Sequence, residues 1–323
     1  MQRFVVSRQA FATLPRVSRR TLASVTSECV SKYSCSRSSV PRAAHLNTSF
    51  PTTLGSYRRS FPVLNNASFI RFNPSSDPSF ASSSEFRDWV ASLQSHFDVL
   101  PADPNAPVSA ARFRQYSRAF VLPFEDKPRV YWAPGHVRDG SDITYYNQGV
   151  FNPEHDSERR GMPSIPPHMR VSPLLEKLIL TDVSLCDWSI DELRHPIIVG
   201  VHFIKTAPSE KYPVSTTTPN ALHQDGHKFS FVHLVRRRNA AGGVNVIAGR
   251  GGQYAGLQPE DVPEPDVLAR FYLESPLDTW AAYDEKCSHY AGPVMQEKSG
   301  AEPSERSVII CDIEPMVAAV CPI

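Results

Sequence analysis

The chain has 323 residues, 41% hydrophobic and 21% charged, which is enough for a large folded domain with a sizeable core. Its net charge of +1 is unevenly spread, because residues 1–76 are strongly basic and contain one acid, Glu28, whereas the remainder is net acidic. An acidic domain argues against nucleic acid as a partner. No run approaches the roughly 18 apolar residues of a membrane span, so the sequence predicts a soluble protein. Nothing in it fixes the oligomeric state.

The first 45 residues are rich in Arg and Ser and nearly free of acids, with a plausible amphipathic turn over residues 4–11. This composition is typical of a mitochondrial transit peptide and lacks the continuous apolar core of a secretory signal. Six cysteines without a CxxC motif or regular spacing favour reduced, intracellular thiols over a zinc ribbon or a disulfide scaffold. We therefore predict a mitochondrial protein. The alternative is a disordered basic tail on a cytoplasmic one.

Residues 46–83 are rich in Ser, Pro and Asn and predict a linker or an irregular arm. The folded domain is expected to span residues 84–323. Ser84 is a candidate helix cap, and apolar residues follow at helical spacing. These are Phe86, Trp89, Val90, Leu93 and Phe97.

Further along the chain, residues 112–124 predict a strand with positive residues at its head, and residues 196–204 predict a buried strand. Between them Ser172 and Pro173 begin a second amphipathic helix, and Ser189 with Glu192 is a candidate capping box for a short third one. Residues 238–243, which end in two glycines, predict a hairpin into another strand over residues 244–247.

A histidine and a carboxylate two residues apart, His223 and Asp225, lie at the head of a β-rich run. In an extended chain such residues point to the same face, so both can reach one metal ion. A non-haem Fe(II) site needs two imidazoles and one carboxylate, and His289 is the later candidate for the third ligand. His227 and His233 share the strand parity of His223 and are interpreted as supporting residues.

Several motifs then carry a family resemblance. The run from His223 to Gly226, the glycine pair Gly242-Gly243, residues 276–279, His289 and residues 306–310 together resemble the 2-oxoglutarate/Fe(II) dioxygenase family that contains L-isoleucine 4-hydroxylase. The similarity covers roughly residues 112–313, is densest after Pro219, and reaches upstream to residues 112–116 and 201–205.

The resemblance implies a mainly β fold with flanking helices, a double-stranded β-helix of the jelly-roll or cupin type. It also implies that His223, Asp225 and His289 hold Fe(II), that Arg306 binds the 2-oxoglutarate co-substrate, and that O2 is consumed. Further polar residues become tentative substrate-binding candidates, with Arg160 considered beside Arg159. These candidates are Tyr146, Gln148, Asn152, Arg159 and Lys205.

The expected reaction is hydroxylation of an unactivated carbon in a small molecule, such as a free amino acid or a similar carboxylate metabolite, with release of succinate and CO2. Lys205 and the pair Asn220-Ala221 depart from the family pattern, which weakens the expectation of an aliphatic amino acid as prime substrate. The alternatives are the same chemistry on a secondary metabolite, by hydroxylation, desaturation or ring formation, and a non-catalytic mitochondrial metal-binding barrel.

Overall fold

The computed structural model describes residues 62–64, 67–155, 158–300 and 302–317. The predicted transit peptide and residues 46–61 of the predicted arm lie outside these ranges, so the domain boundaries remain a prediction. Within the described ranges, no helix combines the length and apolar character that a bilayer crossing requires.

Three α-helices and sixteen strands are formed by the described residues. The helices are α1 (Ser83–Asp98), α2 (Pro167–Arg170) and α3 (Pro173–Leu185). The strands are β1 (Phe69–Phe72), β2 (Arg112–Val121), β3 (Val130–Trp132), β4 (His136–Arg138), β5 (Ser141–Tyr146), β6 (Arg160–Pro163), β7 (Ile197–Thr206), β8 (Val214–Ser215), β9 (Phe229–Arg238), β10 (Ala240–Gly242), β11 (Asn245–Ala248), β12 (Val267–Phe271), β13 (Thr279–Tyr283), β14 (Ser288–Ala291), β15 (Val294–Gln296) and β16 (Glu305–Pro315).

The helix signals of the sequence are largely confirmed, with one shift. Helix α1 is capped by Ser82, whose hydroxyl accepts from the Glu85 N–H while the Glu85 carboxylate accepts from the Ser82 N–H. This reciprocal capping box places the N-cap two residues before Ser84, because the acid must lie at the third helical position. Helix α3 begins at Pro173 after its cap Ser172, as predicted.

A seven-stranded antiparallel sheet in the order β1-β13-β9-β16-β7-β2-β3 forms the centre of the domain. Strand β1 pairs with β13, so part of the predicted arm contributes to this sheet. Two small antiparallel sheets, β12-β11-β14 and β10-β15-β8, complete the barrel, and β4-β5-β6 forms a further one. The mainly β class with flanking helices is thus as predicted.

The central sheet has two buried faces. On the outer face, alternate residues such as Val201, Phe203 and Ile309 join Leu93, Leu178 and other helix residues in the main hydrophobic core. On the inner face, Val232 and Val308 pack with Ile247 of the small sheet. Since successive side chains of a strand point to opposite faces, odd-numbered residues of β7 and β16 face the helices and even-numbered ones face the barrel interior.

The predicted hairpin after β9 is wrong. Strand β9 pairs with β13 and β16, whereas β11 pairs with β12 and β14 in another sheet. Gly242 and Gly243 have φ of 72° and 68°, and a Cβ on Gly242 would lie 2.2 Å from the Pro293 carbonyl oxygen. The glycines therefore allow a close crossing that carries the chain from one sheet to the other.

Candidate active site

A pocket opens inside the barrel between the inner face of the central sheet and the small sheets. Arg114, His202 and Asp312, on strands β2, β7 and β16, provide its polar wall. Val232 of β9 with Val308 and Ile310 of β16 provide an apolar wall. His223, Asp225 and His289 also line it.

The structure brings these three side chains together. One ligand-type atom from each lies within 4.8 Å of the others. The Asp225 carboxylate is 3.6 Å from His223 Nε2 and 3.2 Å from His289 Nε2. Two imidazoles and one carboxylate in this arrangement are the ligand set of a non-haem Fe(II) site with open positions.

Local backbone pairing positions the two histidines. His223 and His289 form an isolated antiparallel bridge, in which each backbone N–H donates to the other's carbonyl at 2.9 Å. The Nδ1–H of His223 donates to the Ala221 carbonyl at 2.8 Å, which leaves Nε2 with a free lone pair facing the pocket.

His223 lies in this bridge and Asp225 follows two residues later, ahead of the strand that comes after them. Gly226 adopts φ of 80°, and β9 begins only at Phe229. The turn at Gly226 bends the chain, and the Phe151 ring covers it so closely that a Cβ there would lie 2.3 Å away. The bridge therefore fixes His223, and the turn at Gly226 fixes the chain just after Asp225.

Asp284 supports this turn and was not singled out from the sequence as a functional residue. Its carboxylate accepts from the backbone N–H groups of Asp225 at 2.9 Å and Gly226 at 2.8 Å, and lies 3.9 Å from His289 Nδ1. Burial, and then the nearby Asp225, raise the pKa of Asp284 to about 7. In the sequence, the only indication of this role for Asp284 was its position shortly before His289.

The pKa values of His223, Asp225 and His289 depend on one another, with the Asp225 carboxylate between the two imidazoles. Burial alone would raise the pKa of this carboxyl, but His289 and then His223 hold it far below its ordinary value. Burial and the neighbouring His289 lower the pKa of His223 to about 4, which keeps this imidazole neutral and able to ligate. Burial would lower the pKa of His289, but Asp225 raises it.

Two of the tentative substrate residues instead hold Asp225 in place. Gln148 donates from Nε2 to Asp225 Oδ1 at 3.0 Å. The Gln148 carbonyl accepts from Arg160 Nη2 at 3.0 Å and from Asn152 Nδ2 at 3.1 Å. These donors fix the orientation of the amide, so that its NH2 group faces the carboxylate.

Arg306 begins the inner-face row of β16 and lines the pocket. Its Nη2 donates to Asn245 Oδ1 at 3.1 Å, while its buried Nε has no hydrogen-bond partner among the described residues. Burial, and then the neighbouring Arg237, lower the pKa of Arg306 to about 10. The guanidinium forms no ion pair with a described carboxylate, so it can receive an anion.

Two other tentative residues lie elsewhere. The Arg159 guanidinium stacks on the Tyr145 ring at 4.2 Å, in a separate surface groove. Lys205 lies on the outer face of β7 and donates to the carbonyls of Phe97 and Asp98 at the end of α1. Their positions do not support a role in binding substrate. Tyr146, by contrast, is buried in the pocket wall.

His227 and His233, interpreted as supporting residues, both lie outside the three-residue cluster. His227 faces Asp312 at 3.8 Å and Glu314 at 3.5 Å. His233 points to the helices, where its Nε2 meets Asp182 at 2.9 Å.

A hydrogen-bonded row of Arg114, His202 and Asp312 crosses the polar wall and was not predicted from the sequence. Arg114 Nη2 lies 2.9 Å from His202 Nδ1, and His202 Nε2 lies 3.1 Å from Asp312 Oδ2. Burial, and then Arg114, lower the pKa of His202 to about 4. Alternate polar residues on otherwise buried strands were the signal, but it does not tell which face is the pocket.

Comparison with known proteins decides the family. The model of the 2OG-Fe dioxygenase family matches residues 94–312, which is more than half of the chain. The chain belongs to this family. This dioxygenase is an oxidoreductase that depends on Fe(II), 2-oxoglutarate and O2.

Two curated proteins are similar in sequence. A 3(1)-hydroxy-L-isoleucine 4-dioxygenase from Pantoea ananatis is 26% identical over 238 residues, covering 72% of this dioxygenase and 83% of the relative. An L-isoleucine-4-hydroxylase from Bacillus thuringiensis is 25% identical over 191 residues, covering 58% and 69%.

Solved structures share the fold. The IDO structure from Bacillus thuringiensis has a TM-score of 0.54 at 16% identity and covers 82% of this chain and 98% of its own. A BsmA homologue from Methylobium petroleophilum has a TM-score of 0.58 at 17% identity, with 82% and 92% covered. The dioxygenase TqaL has a TM-score of 0.56 at 13% identity, with 82% and 86% covered. These likenesses confirm the predicted double-stranded β-helix.

Proposed function

We propose that this dioxygenase hydroxylates an unactivated carbon of a free amino acid or a similar small carboxylate metabolite. The observation that carries the proposal is one pocket that contains both the His223, Asp225 and His289 cluster and the buried cation of Arg306, which has no described carboxylate partner. The amino acid hydroxylases among the relatives support the substrate class.

The three clustered side chains fit Fe(II). The hydrogen bond from His223 Nδ1 to a carbonyl leaves Nε2 as the free donor atom, and Gln148 and Ser230 hold the two Asp225 oxygens at 3.0 Å each. His223, Asp225 and His289 would therefore hold the metal, with the partners around them fixing their orientation.

Arg306 fits the distal carboxylate of 2-oxoglutarate. A guanidinium held on a strand offers two parallel charge-assisted hydrogen bonds to a carboxylate. Asn245 Oδ1 accepts from both Arg306 Nη2 and Trp280 Nε1, at 3.1 Å each. These bonds fix the guanidinium and leave its unpaired nitrogen for the co-substrate.

When bound, iron and 2-oxoglutarate supply the oxidative chemistry, in which O2 is consumed, succinate and CO2 are released and one oxygen atom enters the substrate. The chain's own residues bind the substrate, orient it and exclude water from the pocket. The apolar wall of Val232, Val308 and Ile310 shields the target C–H bond from solvent. Because Val232, Val308 and Ile310 offer no proton donor, this wall suits a reaction in which the protein only has to position the target carbon of the substrate.

Succinate formation tests the proposal. The purified protein is incubated with Fe(II), 2-oxoglutarate, ascorbate and a panel of free L-α-amino acids, and succinate and product mass are measured. We expect one or more amino acids to give equal amounts of succinate and a product heavier by one oxygen atom. Loss of two hydrogens, with the same succinate yield, would replace hydroxylation by desaturation or ring formation. Absence of substrate-dependent succinate across the panel would contradict the proposed substrate class.

A further inference from the structure

The polar wall of the pocket places a cation and an anion side by side on the inner face of three neighbouring strands. We propose that Arg114 and Asp312 recognise the α-carboxylate and the α-ammonium of a zwitterionic α-amino acid, with His202 as the spacer between them. This inference rests on the proposed function and specifies its substrate class. Arg114 and Asp312 would then select which molecules bind in the pocket.

Arg114 is a buried cation with spare donors. It is 6% exposed, lines the pocket, and its Nε has no hydrogen-bond partner among the described residues. Two further arginines lie close by. Arg112 is ion-paired with Asp103 at 2.8 Å. The Arg160 guanidinium lies 5.1 Å from the centroid of the Tyr146 ring, and two of its nitrogens have no hydrogen-bond partner in the described part of the chain.

Among the described residues, only Arg112 of these three arginines forms an ion pair, with Asp103. Burial, and then repulsion from Arg114, lower the pKa of Arg160 to about 10. A substrate carboxylate beside Arg114 would relieve this repulsion and satisfy the free donor.

His202 fixes the direction of the hydrogen bonds along the row from Arg114 to Asp312. Because an arginine only donates hydrogen bonds, the His202 Nδ1 that faces Arg114 at 2.9 Å must accept. The Nε2 of His202 therefore carries the proton and donates to Asp312 Oδ2 at 3.1 Å. One neutral imidazole thus separates the cation from the anion and holds both in place.

Asp312 has capacity for an ammonium group. Its Oδ2 accepts from His202 and from the Tyr146 hydroxyl at 3.4 Å, while its Oδ1 lies 3.3 Å from the Ser230 hydroxyl, whose proton is donated to Asp225 at 3.0 Å. A carboxylate has about four acceptor sites, so these two donors leave capacity for an ammonium group. Asp312 is 3% exposed and lines the pocket. His227, which does not line this pocket, lies 3.8 Å from Asp312 Oδ2 and 3.5 Å from Glu314.

The strand register sets the spacing of the two charges. Strand β7, which contains His202, lies between β2 with Arg114 and β16 with Asp312. An α-amino acid presents its carboxylate and ammonium on one carbon, which matches two opposite charges flanking a single side chain. An N-acyl derivative removes the positive charge and an α-amide removes the negative one, and each leaves Asp312 or Arg114 without the opposite charge that the substrate would supply.

The wild-type protein provides the first test. It is loaded with Fe(II) and 2-oxoglutarate, and kcat/KM is measured for L-α-amino acids, their N-acetyl derivatives and their α-amides. We expect each derivative to be poorer than the parent amino acid by at least about a hundredfold, the usual consequence of leaving a buried charge unpaired. An N-acetyl or α-amide form that reacts as well as its parent would overturn the inference. It would also be overturned if none of the amino acids in the panel stimulated succinate formation.

Two variants assign the roles. Arg114→Met should raise KM for the amino acid about a hundredfold or more and abolish discrimination against the α-amide. Asp312→Asn should abolish discrimination against the N-acetyl form. Arg118→Met, which changes an exposed residue of the same strand, and Glu314→Gln, two residues beyond Asp312, are the matched controls and should leave both preferences unchanged.

The anaerobic 2-oxoglutarate Kd separates this inference from the proposed function. We expect Arg114→Met and Asp312→Asn to bind 2-oxoglutarate as the wild type does. If wild-type protein with iron binds no 2-oxoglutarate, the proposed function fails. If it binds the co-substrate and the two variants keep their discrimination, only the zwitterion assignment fails.

Discussion

Two clusters of metal-ligand residues lie on opposite faces of the central sheet, and they differ in what their atoms are free to do. His223, Asp225 and His289 lie on the pocket side, and Asp182, His233 and Cys311 lie on the helix side. Each set brings its ligand-type atoms within 4.8 Å of one another. Proximity therefore does not distinguish them.

Hydrogen bonding distinguishes the clusters. Both nitrogens of His233 are used, with Nδ1 2.8 Å from Thr279 Oγ1 and Nε2 2.9 Å from Asp182 Oδ2, and the side chains of His233 and Asp182 are 0% exposed. His223 keeps a free Nε2 that faces the pocket. A metal site needs free lone pairs and room for further ligands, and only the pocket-side cluster offers both.

Two buried cations show the same contrast. Lys205 and Arg306 lie on neighbouring strands but on opposite faces of the sheet. Lys205 donates to two carbonyls at the C-terminus of α1, where the helix dipole also favours positive charge. Arg306 keeps a buried nitrogen unpaired beside the pocket. The helix side uses its polar groups for stability, and the pocket side holds them ready for ligands.

The largest expected effect separates the clusters directly. Asp225→Ala removes the only carboxylate among the three pocket-side residues and should abolish turnover and tight iron binding. Cys311→Ala should keep iron stoichiometry and activity, at a cost on the order of 1 kcal/mol in the free energy of unfolding. Iron titration with an activity assay checks both variants. Wild-type activity of Asp225→Ala at saturating iron would remove Asp225 from the site.

The next effect concerns Arg306. Arg306→Leu should weaken 2-oxoglutarate binding by roughly a hundredfold or more, since losing one partner of a buried ion pair typically costs about 3 to 5 kcal/mol. Arg306→Lys should restore part of the affinity, because it supplies a point charge without the guanidinium fork. The measurement is the anaerobic 2-oxoglutarate Kd at saturating iron. An unchanged Kd in the leucine variant would show that another cation holds the co-substrate.

Lys205→Met is the matched variant on the helix side. It should lower the free energy of unfolding by about 1 to 3 kcal/mol, because two carbonyls at the end of α1 lose a charged donor. The 2-oxoglutarate Kd should stay within about twofold of the wild type. Urea unfolding and the binding assay are measured on the same preparation. A Kd that weakens as much as in Arg306→Leu would erase the contrast between the two faces.

The smallest effect is expected from the N-terminal residues. A chain that starts near Leu46 should remain folded and active, because residues 1–45 contain too little apolar periodicity to join a core. A fluorescent fusion of these residues tests localisation separately. Accumulation of the fusion in the cytosol would contradict the proposed transit peptide even if the truncated enzyme is active.

Much of the fold could be predicted from local patterns. The apolar stripes of α1 and α3 follow helical spacing, and the buried strand β7 matches its apolar run. Local patterns were less informative at turns, because the same turn residues can connect two paired strands or carry the chain to another sheet. Gly242-Gly243 marks a sharp turn, but the choice between a hairpin and a crossing to another sheet depends on distant strands.

The sequence by itself pointed to the residue types that we propose carry the chemistry: a His-x-Asp pair, a later histidine and an arginine opening the last strand. Only the tertiary structure decided which other polar side chains join them. Strands β2, β7 and β16 are buried on both faces, so alternation shows that two rows exist without showing which one faces the pocket. Packing of the helices against one face makes that choice. It sends Lys205 outward and places Arg114, His202 and Asp312 in the pocket wall.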